Sequence, residues 1–109
     1  MRQRKALYTA EDVKVELFYR LPKFLFDEEL KDLSNDARVL FSLLKDQHNE
    51  NIQKGWVNDQ GEIYHVYDKK EIAQMLYCSV SKVRKTLEEL EKFDLIDIDL
   101  EANRFFLKY

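Results

Sequence analysis

The side chains of this sequence best suited to recognition chemistry lie between residues 79 and 85. Serines and cations stand together there: Ser79, Ser81, Lys82, Arg84 and Lys85. Lysine and arginine donate hydrogen bonds to phosphate oxygens and to the O6 and N7 acceptors of guanine in the major groove. A group of this kind predicts a surface that binds double-stranded DNA.

These cations occupy the first turns of a predicted helix over about residues 79–93. Ser79 is a suitable N-cap, and apolar residues recur at helical spacing: Val80, Val83, Leu87 and Leu90. The stripe predicts that one side of the helix packs on a core. The opposite side is then left to solvent or to a ligand.

The order of charges along this helix favours a ligand. Basic residues come first, and glutamates follow in the last two turns: Glu88, Glu89 and Glu91. The helix dipole favours the opposite order by roughly 0.3–1 kcal/mol per well-placed terminal charge. Phosphates near the start of the helix would explain the observed order. The alternative is a solvated face with ordinary surface ion pairs, Arg84–Glu88 and Lys85–Glu89.

The neighbouring elements predict how the helix is presented. Asp68 opens a shorter helix, with Glu71 three residues later in the pattern of a capping box. Residues 77–78 allow only a tight turn, and residues 95–100 and 104–109 predict a terminal β-hairpin. A short helix, a tight turn, a longer helix and a hairpin are the parts of a winged helix-turn-helix, whose second helix lies in the major groove.

The N-terminal half supplies the rest of the expected fold. Alternating apolar residues predict a strand over residues 13–21 that ends at Pro22, followed by a short helix to about residue 31. A firmer helix follows Ser34 and fades between residues 47 and 53, and a hairpin turns at residues 58–61. We expect an α+β fold, a winged helix-turn-helix with an additional β-hairpin and an N-terminal strand. Residues 1–17 would form an arm or strand, and residues 18–109 the DNA-binding domain.

Further candidate DNA contacts lie on three other segments. Asn103 and Arg104 are near the tip of the terminal hairpin, and Lys69 and Lys70 stand in the first turn of the shorter helix. Arg4 and Lys5 belong to a basic N-terminal arm. Cations at such places reach phosphate or the minor groove, but each of these residues could equally be solvated without a ligand.

Composition restricts the class of protein. The chain has 109 residues, which fits one domain, and hydrophobic residues make up 45% of it, enough for a core. A single Cys fits a reducing cytoplasm, and no apolar run approaches the ~20 residues that span a bilayer. The net charge of −3 argues only weakly against nucleic acid, because the local field near a docking helix matters more than the total.

No residue pattern indicates an enzyme, a metal site or a cofactor. His48 and His65 are widely separated and are expected at the surface or in the hairpin. Cys78 is expected to be a small, half-buried turn residue, and Asp97 and Asp99 are expected to face water. No Gly-rich phosphate loop or nucleophile motif occurs.

Several segments, in order, resemble the N-terminal domain of the RepA-type replication initiator proteins of theta-replicating plasmids from Gram-positive bacteria. They are Phe18-Tyr19-Arg20-Leu21-Pro22-Lys23, Leu33-Ser34-Asn35-Asp36-Ala37, Gly55-Trp56-Val57 with Gly61-Glu62-Ile63-Tyr64, Glu71-Ile72 to Cys78-Ser79, and Leu87-Glu88-Glu89-Leu90. The resemblance implies a dimeric winged helix that binds repeated sites in a plasmid origin. It also implies host replication proteins as partners of a further C-terminal domain, so this chain is expected to be a fragment.

Two alternatives remain open at this point. A winged-helix transcriptional repressor would share the mechanism and differ in its target. A winged helix that docks a protein partner would use an apolar patch around Phe105, Phe106 and Tyr109. For a homodimer, either the N-terminal strand or the hairpin over residues 56–67 could supply the contact, because strand edges are ready pairing surfaces.

Overall fold

The computed structural model describes residues 7–11 and 17–109. Two short 3-10 helices, Lys23–Phe26 and Glu28–Leu30, precede the regular elements. These are α1 (Asn35–Asp46), α2 (His48–Gln53), β1 (His65–Val66), α3 (Lys69–Leu76), α4 (Val80–Lys92), β2 (Ile96–Asp99) and β3 (Arg104–Leu107). No helix in the described ranges is long and apolar enough to cross a membrane.

The strands form one antiparallel sheet in the order β1-β3-β2. Ile98 of β2 and His65 of β1 both lie opposite Phe105 of the central strand, whose side chain is fully buried. A separate antiparallel bridge between Val57 and Ile63 forms the additional hairpin. The α+β winged-helix class is therefore confirmed, with β2 and β3 as the wing.

Helix α1 confirms the strongest prediction for the N-terminal half. The hydroxyl of Ser34 accepts a hydrogen bond from the Ala37 amide at 3.1 Å and caps the helix. The core lies between this helix, α4 and the sheet. It is built from Leu40, Phe41 and Leu44 of α1, Val83, Leu87 and Leu90 of α4, and Ile96 and Phe105 of the sheet. Packing against α1 and the sheet thus fixes which side of α4 faces outward.

The predicted short helix before α1 is wrong in detail, because the chain forms two 3-10 turns instead. Asp27 has extended backbone (φ −68°, ψ 156°), which interrupts any continuous helix. Arg38 then joins both turns to α1. Its Nε donates to the Leu25 carbonyl at 2.8 Å and its Nη2 to the Leu30 carbonyl at 2.9 Å.

Helix α2 was not predicted, because its sequence has no apolar period. Its single buried residue is Asn51, whose side-chain amide donates to the Tyr64 carbonyl at 3.3 Å and lies 3.1 Å from Nδ1 of His65. A buried hydrogen-bonding side chain anchors this helix, and a search for apolar periodicity does not detect such an anchor.

Residues 13–16 of the predicted N-terminal strand lie outside the described residues. Residues 17–21 belong to no helix or strand. The apolar side chains of that segment are exposed: Leu17, Phe18, Tyr19 and Leu21. Within the described residues, this alternation forms no strand.

Candidate nucleic-acid interface

Local capping places α3 and α4 as a helix-turn-helix. The Asp68 carboxylate accepts hydrogen bonds from the amides of Lys70 (3.1 Å) and Glu71 (3.2 Å) and starts α3. Tyr77 ends α3 in the left-handed conformation, with φ 54°. The Ser79 hydroxyl accepts from the Lys82 amide at 3.1 Å and starts α4. Both predicted caps and the tight turn are confirmed.

Helix α4 has one packed face and one open face. The buried residues are Val83, Thr86, Leu87 and Leu90, whereas Ser81, Arg84, Lys85 and Glu88 are exposed. Val80 is also exposed, which corrects the predicted apolar stripe: Thr86 rather than Val80 completes the buried side. Thr86 can be buried because its hydroxyl donates to the Lys82 carbonyl at 2.8 Å.

The cations on α4 differ in how strongly the protein itself holds them. Nζ of Lys82 lies 2.9 Å from the carboxylate of Asp36, and the hydrogen bond to Asp36 raises the pKa of Lys82. Arg84 pairs with Glu88 at 3.2 Å, one turn further along the helix. Lys85 has no ion-pair partner within the described ranges. All three ammonium or guanidinium groups therefore stay accessible, and Lys85 is the least engaged.

Glu89 does not form the surface pair with Lys85 that its spacing allows. Its carboxylate accepts from both the amide (2.7 Å) and the hydroxyl (2.6 Å) of Ser34, the cap of α1. This tie joins α4 to the start of α1 across 55 residues of sequence. Glu89, one of the three glutamates in the last turns of α4, is thus a structural contact and not part of the solvated charge pattern.

The preceding helix adds further cations near the turn. Lys70 is exposed at the start of α3. Lys69 is half-buried, and its ammonium lies 5.6 Å from the ring centre of Tyr67, a cation–π contact. Lys70 is therefore better placed than Lys69 to reach a ligand.

The wing presents its two predicted residues differently. Asn103 is exposed at the turn, in the left-handed conformation (φ 53°) that asparagine tolerates. Arg104 begins β3 and lies against the sheet. Its Nε is buried 3.4 Å from Asp99, and its guanidinium is 5.2 Å from the Tyr64 ring and 5.3 Å from the Phe106 ring. The side chain of Arg104 is folded back onto the sheet, whereas the sequence placed it near an open tip.

A sequence model of the family described as "Replication initiator protein A (RepA) N-terminus" matches residues 17–108. The chain belongs to this family. A curated relative, a "41 kDa protein" of Lactobacillus helveticus, is 26% identical over 92 residues, which cover 84% of this chain. The chain spans about a quarter (26%) of the length of that relative.

Solved structures support membership of the RepA N-terminal family. One described as "Structure of MDR initiator" has a TM-score of 0.80 and 34% identity, covering 95% of this chain and 86% of the other. One described as "Structure of Rep-DNA complex" has a TM-score of 0.79 and 30% identity, covering 95% and 83%. The "N-Terminal domain of DNA binding protein" gives 0.76 and 29%, covering 97% and 85%. The winged helix of this RepA N-terminal chain is thus one that solved initiator domains share.

The two predicted contacts of the N-terminal arm cannot be placed relative to the site. Arg4 and Lys5 lie outside the described residues. Within the described ranges, no group of three or more His, Cys, Asp or Glu side chains could hold a metal ion. Cys78 is half-buried in the turn, as expected.

His48 begins α2 and is half-buried, so it is neither at the surface nor in the hairpin. His65 lies in the predicted hairpin segment, but its ring is not exposed as a surface histidine would be. That ring is buried, stacks on Phe105 at 5.0 Å between centroids, and lies 5.3 Å from the ring of His48. Burial first, and then the neighbouring His48, lowers the pKa of His65 to about 4. His65 pairs with the central strand, which places its side chain under the sheet, and only the pairing register reveals this. His65 therefore belongs to the core and not to the interface.

Proposed function

We propose that this chain binds double-stranded DNA at the repeats of a plasmid origin and thereby initiates replication. The observation that carries the proposal is the open face of α4, where Ser81, Arg84 and Lys85 are exposed beside the helix start. Helix packing on the opposite side makes this face available to the major groove. Membership of the RepA N-terminal family supports the initiator role. A related structure that is described as a Rep–DNA complex supports DNA as the partner.

The contacts fall into two groups. Arg84 and Lys85 project from the first turns of α4 and would meet guanine edges and phosphates, with Ser81 donating or accepting alongside them. Lys70, at the start of α3, and Asn103, at the wing turn, would contact the backbone. Lys82 must exchange its ion pair with Asp36 for a phosphate, so it contributes less than Lys85. Arg104 must likewise leave Asp99.

A second copy of this chain is the partner that best explains the segment over residues 17–21. Four apolar side chains are exposed there, and Leu17 shows 96% of its surface. Contiguous exposed apolar side chains mark interaction surfaces. We infer a homodimer that covers this segment.

Substituting Leu17 and Phe18 with Ser should convert a dimer to a monomer in sedimentation analysis. A wild-type chain that sediments as a monomer at high concentration would contradict the dimer.

The docking-module alternative loses its central residue. Phe105 is fully buried between β1 and β2, and Phe106 lies against Tyr64 and Arg104. Phe105 therefore cannot contribute to the predicted apolar patch, whereas Phe106 is half-buried and Tyr109 is exposed. The repressor alternative shares the α4 interface and differs only in the sequence bound. Contact with host replication proteins and a place in the cytoplasm remain predictions.

The test selects duplexes from a random library of about 20 base pairs with the full chain, then measures their affinity by fluorescence anisotropy over a salt series. The logarithm of the binding constant falls as the logarithm of the salt concentration rises, and each lost phosphate contact reduces the magnitude of this slope by about 0.9. Substituting Arg84 and Lys85 together with Ala should lower the slope by up to about 1.8. The matched control is Lys31→Ala, an exposed cation paired with Glu28 outside the helix-turn-helix.

The outcomes distinguish a replication initiator from a transcriptional repressor. Enriched sites that recur as iterated copies in a plasmid origin support initiation, whereas single promoter sites favour a repressor. No enrichment of any duplex, or an unchanged salt slope in the double variant, would overturn DNA binding through α4.

A further inference from the structure

Two exposed apolar residues flank the start of the open face of α4. Tyr77, in the turn, exposes 97% of its surface, and Val80, the first residue of α4, exposes 40%. We name this pair the apolar edge. Helical spacing predicted that Val80 would be buried, but the packing of α3 and the sheet leaves it at the border of the open face. Part of the apolar surface of Val80 is therefore left open beside the cations of α4.

The backbone conformation of Tyr77 is a second reason why a tyrosine at this position does not stabilise the fold. Its φ of 54° lies in the left-handed region, where helix ends favour glycine because an L side chain is strained there. An aromatic side chain normally offsets such strain by burial, yet this one is almost completely exposed. Glycine at this position would relieve the strain and lose almost no packing. Tyr77 thus costs stability in the isolated chain.

The surroundings of the apolar edge are basic. It borders a shallow depression that Lys70, Ala73, Gln74 and Cys78 also line, and no carboxylate lines it. Arg84 follows Val80 by four residues, a spacing that places the two on neighbouring turns of the same face. An apolar surface bordered by cations on both sides suits a polyanion that also carries apolar groups. In the major groove, the C5-methyl of thymine is that group.

We propose that the apolar edge reads thymine: Val80 packs on a thymine C5-methyl, and Tyr77 contacts the adjoining sugar-phosphate backbone, its hydroxyl donating to a phosphate oxygen. The inference rests on DNA binding by α4 and adds a base preference to it. Arg84 selects guanine by hydrogen bonds, and Val80 selects thymine by shape. The recognised site then contains a thymine next to the base pair that Arg84 contacts.

The first experiment replaces each thymine of the selected duplex with deoxyuridine, which lacks only the methyl group. Burying one methyl group corresponds to about fourfold in affinity. At one position, wild type should bind the deoxyuridine duplex about fourfold more weakly, and Val80→Ala should bind both duplexes equally. Val39→Ala is the matched control, because Val39 has similar exposure on α1. A Val80→Ala chain that still distinguishes the two duplexes as wild type does would overturn the reading of thymine.

The second experiment uses Tyr77→Gly and measures two quantities of opposite sign. Its midpoint of thermal unfolding should rise, because the left-handed strain is removed, while DNA affinity falls about fivefold or more through loss of the phosphate contact. Unchanged affinity in Tyr77→Gly would show that the tyrosine has no part in binding.

The two hypotheses fail in different ways. If wild type enriches no duplex, the proposal of DNA binding is wrong, and so is the proposal that the apolar edge recognises thymine. If wild type binds a duplex tightly with a steep salt slope, but deoxyuridine weakens binding at no position, only the proposal that the apolar edge recognises thymine is wrong.

Discussion

Lowering the pH from about 7.5 to 5 should destabilise the fold through His65. This ring is 3% exposed and stacks on Phe105 with an interplanar angle of 15°. Nδ1 of His65 lies 3.1 Å from the side-chain amide nitrogen of Asn51, which also donates to the Tyr64 carbonyl. Nδ1 therefore accepts, and the neutral ring carries its proton on Nε2. A second proton on Nδ1 would face an amide donor.

The sign of the effect follows from the direction of the pKa shift. Folding lowers the pKa of His65 from 6.5 to about 4, so the unfolded chain takes up the proton first. The contribution of this group is complete above pH ~6.5 and is lost as the pH falls toward ~4. Full loss corresponds to about 3.4 kcal/mol, and at pH 5 the loss is about 2 kcal/mol. His48, whose pKa burial also lowers, adds a loss of the same sign.

Urea unfolding followed by the fluorescence of Trp56, the single tryptophan, measures this change. His65→Gln is the comparison variant, because its amide oxygen can still accept from Asn51 but does not titrate. Between pH 7.5 and 5, the free energy of unfolding should fall by about 2 kcal/mol more in wild type than in His65→Gln. Parallel pH profiles for the two proteins would refute the reasoning.

Three other substitutions test contacts that hold or compete with the interface. Glu89→Gln weakens the charged tie to Ser34 and should lower the free energy of unfolding by about 1.5–3 kcal/mol, measured by urea titration. Asp36→Asn removes the negative charge that pairs with Lys82, so DNA affinity at low salt should rise and its salt slope should steepen, measured by anisotropy. Arg38→Lys cannot satisfy two divergent carbonyls with one ammonium and should cost about 1–3 kcal/mol, again by urea titration.

Two of these variants have a matched comparison, and the third has a direct contradicting outcome. Glu88→Gln, on the exposed side of α4, should change stability by less than about 0.5 kcal/mol, and a loss equal to that of Glu89→Gln would remove the special role of the tie. Asp27→Asn, which leaves Lys82 untouched, should not steepen the salt slope. If Arg38→Lys unfolds at the wild-type urea concentration, the 3-10 turns are held by something other than the guanidinium.

The sequence by itself determined the features that depend on residues close together in the chain. The caps at Asp68 and Ser79 act within three residues. The tight turn follows from the short spacer between two periodic segments. The order of charges along α4, basic first and acidic later, is read directly from the sequence. These features are enough to predict a winged helix-turn-helix with an outward basic start, because helix capping, periodicity and charge order are local properties.

Only the tertiary structure decided the features that join distant residues. The Ser34–Glu89 tie spans 55 positions, the burial of His65 depends on the register with Phe105, and the pairing of Lys82 depends on where α1 begins. Val80 illustrates the same limit, since its spacing indicates burial and the neighbouring elements leave it exposed. Periodicity specifies which residues share a face of a helix. How much of that face is covered depends on the angle and position at which other elements pack on it.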